Sequence, residues 1–276
     1  MSISLESTAT LHGRVDIPLL GLGVFRVDDG ASVEDAISAA LAVGYRHIDT
    51  ATIYRNEEGV GRAIAASDVD RSDIFVTTKL WNNAQGYEPA LTAIDKSLMK
   101  LGLDYVDLYL VHWPKPEHME ETWRAMEEIQ HSGRARAIGV SNFLPEHLDQ
   151  LAKTATVMPS INQIEFHPHL QSPELVAYCE AHNIVLEAWS PLKASRIVDD
   201  PELQAIADVH GVTVPQVVLR WMLQLGVVVI PKSVTPSRIA QNADLYDFEL
   251  GPDEVARINA MDRNDRVGPD PANFDF

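Results

Sequence analysis

Eight short runs rich in Val, Ile and Leu recur along this 276-residue chain and alternate with segments of helical pattern. The runs lack polar alternation, which is typical of strands buried on both faces. They recur about every 30 residues, the length of one strand–helix unit, so the pattern predicts a parallel sheet, and eight units favour a closed (β/α)8 TIM barrel. The residues that close the runs are Gly23, Asp49, Lys79, His112, Ser141, Glu165, Trp189 and Lys232.

A doubly wound open sheet is the alternative fold. Against it, Gly21-Leu22-Gly23 lacks the third glycine of a dinucleotide-binding turn, and Gly59-Val60-Gly61 lies inside a helical segment. No linker or low-complexity tract divides the chain. We therefore predict that residues 1–276 form one α/β domain.

Local patterns predict the elements around the barrel. Residues 9–12 and 15–17 flank Gly13-Arg14 as a small β-hairpin, which we expect at the barrel floor. Ser32-Val33-Glu34-Asp35 has the pattern of a capping box at the start of the first helix. The widest gap between two runs leaves room for an extra helix near the C-terminus, over residues 201–210.

The charge balance limits the partners of the protein. Forty acidic and 22 basic residues give a net charge of −18. Because nucleic acids and anionic membranes attract basic surfaces, we expect neither as a partner, and we expect a monomer. The single cysteine, Cys179, excludes an internal disulfide and is predicted to be a buried apolar residue. The first residues show no secretory signal pattern, and the apolar stretch 217–230 is too short to span a bilayer, so we predict a cytoplasmic location.

Polar residues at successive strand ends form the candidate catalytic group. Asp49, Lys79 and His112 end the second, third and fourth runs, and Tyr54 follows Asp49 by five residues. Since carboxyl ends of barrel strands converge on one mouth, these side chains are expected to face one another. Taken singly, each could be a helix cap or a packing residue. Together they suit acid–base chemistry, because a nearby ammonium lowers the pKa of a tyrosine so that it can give a proton to a developing alkoxide.

With these residues and the stretches around them, the chain resembles the aldo-keto reductase superfamily over nearly its whole length. The resemblance is strongest to the bacterial 2,5-diketo-D-gluconate and methylglyoxal reductases. The stretches that carry the resemblance are Gly44-Tyr45-Arg46-His47-Ile48-Asp49-Thr50-Ala51, Tyr54 with Asn56-Glu57-Glu58, Thr77-Thr78-Lys79-Leu80-Trp81, Asp107-Leu108-Tyr109-Leu110-Val111-His112-Trp113-Pro114, Ile138-Gly139-Val140-Ser141-Asn142-Phe143, Asn162-Gln163-Ile164-Glu165 and Ile230-Pro231-Lys232-Ser233.

The resemblance implies NADPH-dependent reduction of aldehydes and ketones. It makes Tyr54 the general acid, Asp49 and Lys79 the residues that tune it, and His112 the residue that orients the carbonyl. It also implies a set of cofactor contacts that includes Trp189, whose indole would stack on the nicotinamide in place of the tyrosine common in the family. The cofactor set is Gly23, Val24, Ser141, Asn142, Gln163, Trp189, Ser190, Leu192, Lys193, Ile230, Lys232, Ser233, Val234, Thr235, Arg238, Gln241 and Asn242.

A local basic cluster near the C-terminus supports the choice of cofactor. Lys232 and Arg238 are six residues apart, with hydroxyl residues between them, and a helix is predicted to start near Pro236. Helix N-terminal amides combined with Lys and Arg suit a phosphate, although such a cluster is commonly a solvated surface turn. By resemblance the cluster binds the adenosine 2′-phosphate, so NADPH is expected to be preferred over NADH.

The substrate pocket is expected to be open. Phe25, Trp81 and Trp113 lie just beyond strand ends and, with Tyr54 and His112, are predicted to line it, although each aromatic residue could be ordinary packing. The loop after His112 and the tail after residue 261 are both short. Their shortness favours small polar substrates such as dicarbonyls, keto-sugars and aromatic aldehydes.

Two other functions fit parts of the sequence. His167-Pro168-His169, with Asp49, Lys79 and His112, could form the site of a metal-dependent barrel hydrolase, although such a pair usually follows the first strand rather than the sixth. A non-catalytic NADPH-binding regulatory subunit is the other alternative. The intact set of four catalytic residues weighs against it, and we predict no metal site.

Overall fold

An antiparallel hairpin opens the chain in the computed structural model, which describes residues 3–12 and 15–274. It consists of β1 (Thr8–Leu11) and β2 (Val15–Pro18). The hairpin lies at the barrel floor, because β2 leads directly into the amino-terminal end of the first barrel strand and His12 Nδ1 contacts Met158 O just before another strand. The predicted hairpin is confirmed, while its turn at Gly13-Arg14 lies outside the described residues.

Eight parallel strands follow, each paired with its neighbour in chain order. The last strand returns to the first: Gly21 N donates to Val229 O at 2.8 Å, and Val229 N donates to Leu19 O at 2.9 Å. These bonds close the predicted (β/α)8 barrel and exclude the open doubly wound sheet. The strands are β3 (Leu22–Gly23), β4 (His47–Asp49), β5 (Phe75–Leu80), β6 (Val106–Val111), β7 (Ala135–Ser141), β8 (Ile161–Glu165), β9 (Val185–Trp189) and β10 (Val228–Val229).

Ten α-helices within the described residues surround the barrel. Two of them lie between β9 and β10, and two more follow β10, so the extra helices near the C-terminus are confirmed. None of the helices in the described ranges has the length and apolar character needed to cross a bilayer. The helices are α1 (Ala31–Ala42), α2 (Glu57–Ala65), α3 (Tyr87–Leu101), α4 (Met119–His131), α5 (Pro145–Leu151), α6 (Pro173–Ala181), α7 (Pro201–His210), α8 (Val214–Gln224), α9 (Pro236–Ala243) and α10 (Pro252–Asn259).

The core lies on both sides of the strands. Every residue of β5 and β6 is buried, as expected for strands that face helices outside and a filled barrel inside. The helices bury one stripe each: α3 places Ile94, Leu98 and Leu101 against the sheet and ends at Gly102, whose φ of 63° is the left-handed conformation favoured by glycine. Cys179 is fully buried on α6, as predicted.

The predicted capping box at Ser32 is wrong. Helix α1 starts at Ala31 after Gly30, and its first residues receive no side-chain cap. The reason is that the helix starts one residue earlier, so Ser32 lies inside it, and Glu34 Oε1 instead accepts a hydrogen bond from Arg62 Nε of α2 at 2.8 Å.

Candidate active site

A buried ion pair occupies the mouth of the barrel. Lys79 Nζ lies 2.6 Å from Asp49 Oδ1 and 2.7 Å from Oδ2, and it donates a third hydrogen bond to Thr50 O at 2.9 Å. The strand register explains the contact. Asp49 pairs with Thr77, so Lys79 is one step of two residues further along the same inward face of β5. All three donor positions of the ammonium are therefore used.

Tyr54 and His112 lie beside this pair. Tyr54 ends a short 3-10 helix that follows β4, and Lys79 Nζ is 5.2 Å from the centre of its ring. The rings of Tyr54 and His112 meet edge to face, with centroids 5.7 Å apart. The structure thus brings together all four predicted catalytic residues.

Both rings are uncharged at neutral pH. Burial, and then the charge of Lys79, lower the pKa of His112 well below its usual value, so the imidazole is neutral. Its Nδ1 atom is buried without a hydrogen-bond partner in the part of the chain that the structure describes. Burial, followed by the charges of Asp49 and Glu187, raises the pKa of Tyr54 well above its usual value.

The shift at Tyr54 corrects the prediction that Lys79 lowers its pKa. Two contacts below 2.8 Å neutralise Lys79 with Asp49, so little positive field is left for the phenol. Glu187 adds a second carboxyl inside the barrel, which the sequence analysis did not place there. Tyr54 therefore keeps its proton throughout the physiological range.

A chain of amide and hydroxyl groups joins the ion pair to the next strands. Gln163 Nε2 donates to Asp49 Oδ2 at 2.8 Å, and Ser141 Oγ donates to the backbone oxygen of Gln163 at 2.8 Å. Asn142 Nδ2 donates to the backbone oxygen of His112 at 3.0 Å and its Oδ1 accepts from Trp189 Nε1 at 2.9 Å. These members of the predicted cofactor set thus form one connected group with the predicted catalytic residues.

Aromatic side chains surround the pair on the solvent side. Phe25 is 51% exposed and its ring lies 5.0 Å from that of Tyr54, while Trp81 lies 5.1 Å from His112. Trp113 is buried, because Phe274 stacks on it with ring centroids 3.7 Å apart. Phe274 near the end of the described chain therefore covers one of the residues predicted to line the substrate pocket, a contact that the sequence analysis did not predict.

The basic cluster lies around the start of α9. Lys232 and Arg238 are exposed, and neither forms an ion pair with any residue in the described ranges. Thr235 N donates to Ser233 Oγ at 3.1 Å before the helix starts at Pro236, as predicted. Two free cations at the amino end of an eight-residue helix, with hydroxyls between them, fit a phosphate. Val234 is exposed in the same loop, Gln241 is exposed on α9 and Asn242 is buried there.

Two strand ends approach each other closely between this cluster and the ion pair. A Cβ atom on Gly23 would lie only 2.8 Å from Ile230 O, so glycine is needed for this contact. Val24 is fully buried, and its backbone is bonded to Asp49 O and Asn56 Nδ2. Both positions are thus packed within the protein at the end of β3.

The loop after β9 is held by the C-terminal segment. Lys193 is 4% exposed, and its ammonium contacts Asp265 Oδ2 and, at 3.0 Å, His169 Nδ1. Ser190 and Lys193 have positive φ angles, as do the two residues that follow Lys193, and Leu192 is partly buried. The ammonium of Lys193, a predicted cofactor contact, is thus already paired within the protein.

The two histidines of His167-Pro168-His169 contact different groups. His167 Nε2 is 3.0 Å from Glu165 Oε1, whereas His169 contacts Lys193 and Arg263, and the two imidazole centroids are 6.4 Å apart. Over residues 3–12 and 15–274 there is no group of three or more His, Cys, Asp or Glu side chains arranged to hold a metal ion. The structure therefore does not assemble the ligand set that the hydrolase alternative needs.

The fold and the site define a (β/α)8 enzyme with a phenol, an imidazole and an ammonium–carboxylate pair at one end of the barrel. Comparison with known proteins gives its family. A model described as the aldo/keto reductase family matches residues 19–263. The chain therefore belongs to the aldo/keto reductase family and is an oxidoreductase, as the sequence predicts.

Individual relatives agree with this assignment. Glyoxal reductase of Bacillus subtilis (strain 168) is 50% identical over 100% of both chains. Methylglyoxal reductase DkgA of Escherichia coli (strain K12) is 48% identical and the match covers 94% of each chain. A crystal structure of Bombyx mori aldo-keto reductase in complex with NADP is 38% identical, with a TM-score of 0.89 over 97% of this chain and 96% of that chain.

Proposed function

We propose that this protein reduces small aldehydes and ketones to alcohols with NADPH, with Tyr54 as the proton donor. The observation that carries the proposal is a protonated phenol beside the buried Lys79–Asp49 pair, with a neutral imidazole edge to face against that phenol. The names of two relatives, a glyoxal and a methylglyoxal reductase, favour dicarbonyl compounds as substrates. Keto-sugars and aromatic aldehydes remain in the proposed range.

Tyr54 and His112 have different roles at the carbonyl oxygen of the substrate. Tyr54 holds a proton at its phenol oxygen and passes it to the oxygen as negative charge develops there, which general acids do with gains of about 10²- to 10⁴-fold. His112 donates a hydrogen bond to the same oxygen without adding a charge. The Lys79–Asp49 pair fixes the place of the phenol. NADPH, when bound, supplies the hydride that reaches the carbonyl carbon.

The proposed cofactor contacts extend from the ion pair to α9. Ser141, Asn142 and Gln163 would hold the carboxamide, and Trp189 would stack on the ring. The free cations Lys232 and Arg238 favour the 2′-phosphate of NADPH. The further contacts proposed are Gly23, Val24, Ser190, Leu192, Lys193, Ile230, Ser233, Val234, Thr235, Gln241 and Asn242.

Replacement of the phenol tests the proposal directly. Tyr54→Phe is expected to lower kcat for methylglyoxal reduction by about 10²-fold or more, because only the proton donor is lost. The affinity for NADPH, measured by fluorescence titration, should change less than about threefold. Loss of NADPH absorbance at 340 nm (about the nicotinamide maximum) reports turnover.

Tyr109→Phe is the matched control. The Tyr109 hydroxyl is buried without a hydrogen-bond partner in the described chain, so its removal should leave turnover unchanged. A Tyr54→Phe enzyme with the wild-type rate would remove Tyr54 from its role. A wild-type protein that binds NADPH but oxidises it with no carbonyl compound would instead support a regulatory subunit. The cytoplasmic location and the monomeric state stay predictions.

A further inference from the structure

A second buried carboxyl group lies inside the barrel beneath the ion pair. Glu187 is the central residue of β9, is fully buried, and interrupts a strand of otherwise apolar residues and Trp189. Its register partner on β8 is Gln163, so the two side chains lie next to each other. The polar and titratable groups that face Glu187 from the neighbouring strands and the mouth are His47, Asp49, Thr77, Lys79, Gln163 and Tyr54.

One amide nitrogen connects this carboxyl to the ion pair. Gln163 Nε2 donates to Glu187 Oε2 at 2.8 Å and to Asp49 Oδ2 at 2.8 Å. Both amide hydrogens are therefore used, and the plane of the amide is fixed between the two carboxyl groups. Asp49 in turn holds Lys79 beside Tyr54.

We propose that Glu187 is a positioning residue, which holds the Gln163 amide against Asp49 and thereby fixes the ion pair that acts on Tyr54. The proposal rests on the function proposed above and adds a residue outside the group of four. Glu187 acts through Gln163, since its only hydrogen bond within the described residues is the one from that amide.

The charges around Glu187 determine whether its side chain holds the Gln163 amide in the protonated or in the ionised form. Asp49 already neutralises Lys79. The next basic group is His47, whose Nε2 atom lies 3.7 Å from Glu187 Oε1. His47 is uncharged, because burial and then the charge of Lys79 lower its pKa to about 3. Burial, and then the charge of Asp49, raise the pKa of Glu187 to about 8. Glu187 is thus protonated at neutral pH, and its Oε2 still accepts from Gln163.

Ionisation of Glu187 would change the site. Above about pH 8 a second negative charge appears next to Asp49, and the charge of Glu187 raises the pKa of Tyr54 further. A phenol with a higher pKa is a weaker acid, so the rate of carbonyl reduction should fall as the pH rises through this range. The alkaline decline therefore reports the state of Glu187.

Two substitutions separate the hydrogen bond from the charge. Glu187→Gln keeps an oxygen that accepts from Gln163 but cannot ionise. It should keep kcat/KM for methylglyoxal within about threefold at pH 7, and it should lack the decline expected of the wild type between about pH 8 and 9.5. Glu187→Met has a similar volume but no acceptor, and it leaves the Gln163 amide unsatisfied. It should lose about tenfold or more in kcat at pH 7, and NADPH should bind more weakly.

Glu57→Gln is the matched control. Glu57 is also buried and accepts one hydrogen bond, from Thr78 Oγ1 at 2.8 Å; its other oxygen makes no hydrogen bond in the described chain and lies 3.7 Å from Lys100 Nζ. It has no hydrogen bond to Gln163, so Glu57→Gln should keep the wild-type pH profile.

The measurement is kcat/KM from pH 6 to 10, with NADPH titrations at pH 7. A Glu187→Gln profile that coincides with the wild-type profile would overturn the proposal, and so would an unchanged kcat in a folded Glu187→Met enzyme. If Glu187→Met does not fold, the Glu187→Gln profile decides alone. Failure of the proposed function is a separate result, since it would appear as wild-type turnover in Tyr54→Phe.

Discussion

Tyr54 and His112 are two uncharged rings beside a single ion pair. Burial pushes their pKa values in opposite directions, because the charged form of tyrosine is the anion and that of histidine is the cation. Lys79, paired with Asp49, is then the charged group beside the Tyr54 ring. A protonated phenol and a neutral imidazole are thus available over the same wide pH range.

Removal of one member of the ion pair should damage stability as well as rate. Lys79→Met leaves Asp49 buried without its cation, and we expect the free energy of unfolding to fall by about 3–5 kcal/mol. In the double variant Lys79→Met with Asp49→Asn neither charge remains, so we expect much of this loss to be recovered, without turnover. Urea denaturation and NADPH oxidation measure the two effects, and equal stability of the single and double variants would contradict the expectation.

Sequence reasoning identified these side chains because barrel strand ends converge. Asp49, Lys79 and His112 each close an apolar run, and that position alone predicted their meeting. The pKa of Tyr54 was not predictable, since it depends on how close Asp49 lies to Lys79 and on a carboxyl from a distant strand. Glu187 did leave a signal, namely an acidic residue in the middle of an apolar run.

Helix α9 combines a helix start with two free cations. In a protein of net charge −18, the exposed Lys232 and Arg238 on either side of the start of α9 form an attractive site for an anion. Hydrogen bonds between charged groups contribute about 1.5–3 kcal/mol each. We therefore expect the preference for the phosphorylated cofactor to depend on this element rather than on the barrel mouth.

Arg238→Ala is expected to weaken the binding of NADPH by about 10- to 100-fold and that of NADH by less than about threefold. The reason is that only NADPH carries the 2′-phosphate. Fluorescence titration with both cofactors provides the comparison, and Lys153→Ala, which removes an exposed cation after α5, is the control. Equal losses for the two cofactors would refute the phosphate role of Arg238.

The glycines of α2 show where sequence patterns reach their limit. Gly59-Val60-Gly61 was correctly placed in a helix and not in a nucleotide-binding loop. The reason for the glycine appears only in the structure, where a Cβ on Gly61 would lie 2.1 Å from Leu101 O at the end of α3. Contacts between two helices depend on their packing, which no local pattern specifies.

The barrel as a whole was predictable because its period is local and repeated eight times. The features that the sequence did not predict are contacts between residues far apart along the chain. Phe274 stacks on Trp113 across most of the sequence, and Lys193 meets Asp265 in the C-terminal segment. Neither contact follows a repeated sequence pattern, so the sequence did not predict which residues the C-terminal segment contacts.

Buried histidines make the stability of the whole molecule depend on pH. The pKa of His47 is about 3 in the folded protein and about 6.5 in an unfolded chain. Between these values the unfolded chain binds one proton more at this residue. The contribution of His47 to the free energy of unfolding is therefore complete above about pH 6.5 and is lost as the pH falls, by about 1.4 kcal/mol per pH unit.

A substitution at His47 isolates this contribution from that of the many carboxyl groups. Urea denaturation of the wild type and of His47→Gln at pH 4, 5 and 6 (about the range in which the two states differ in bound protons) gives the free energy of unfolding at each pH. We expect the variant to have a pH slope about 1.4 kcal/mol per unit smaller, because it cannot take up that proton on unfolding. His118→Gln, which changes an exposed histidine, should keep the wild-type slope. Parallel curves for the wild type and His47→Gln would show that His47 is already protonated in the folded barrel.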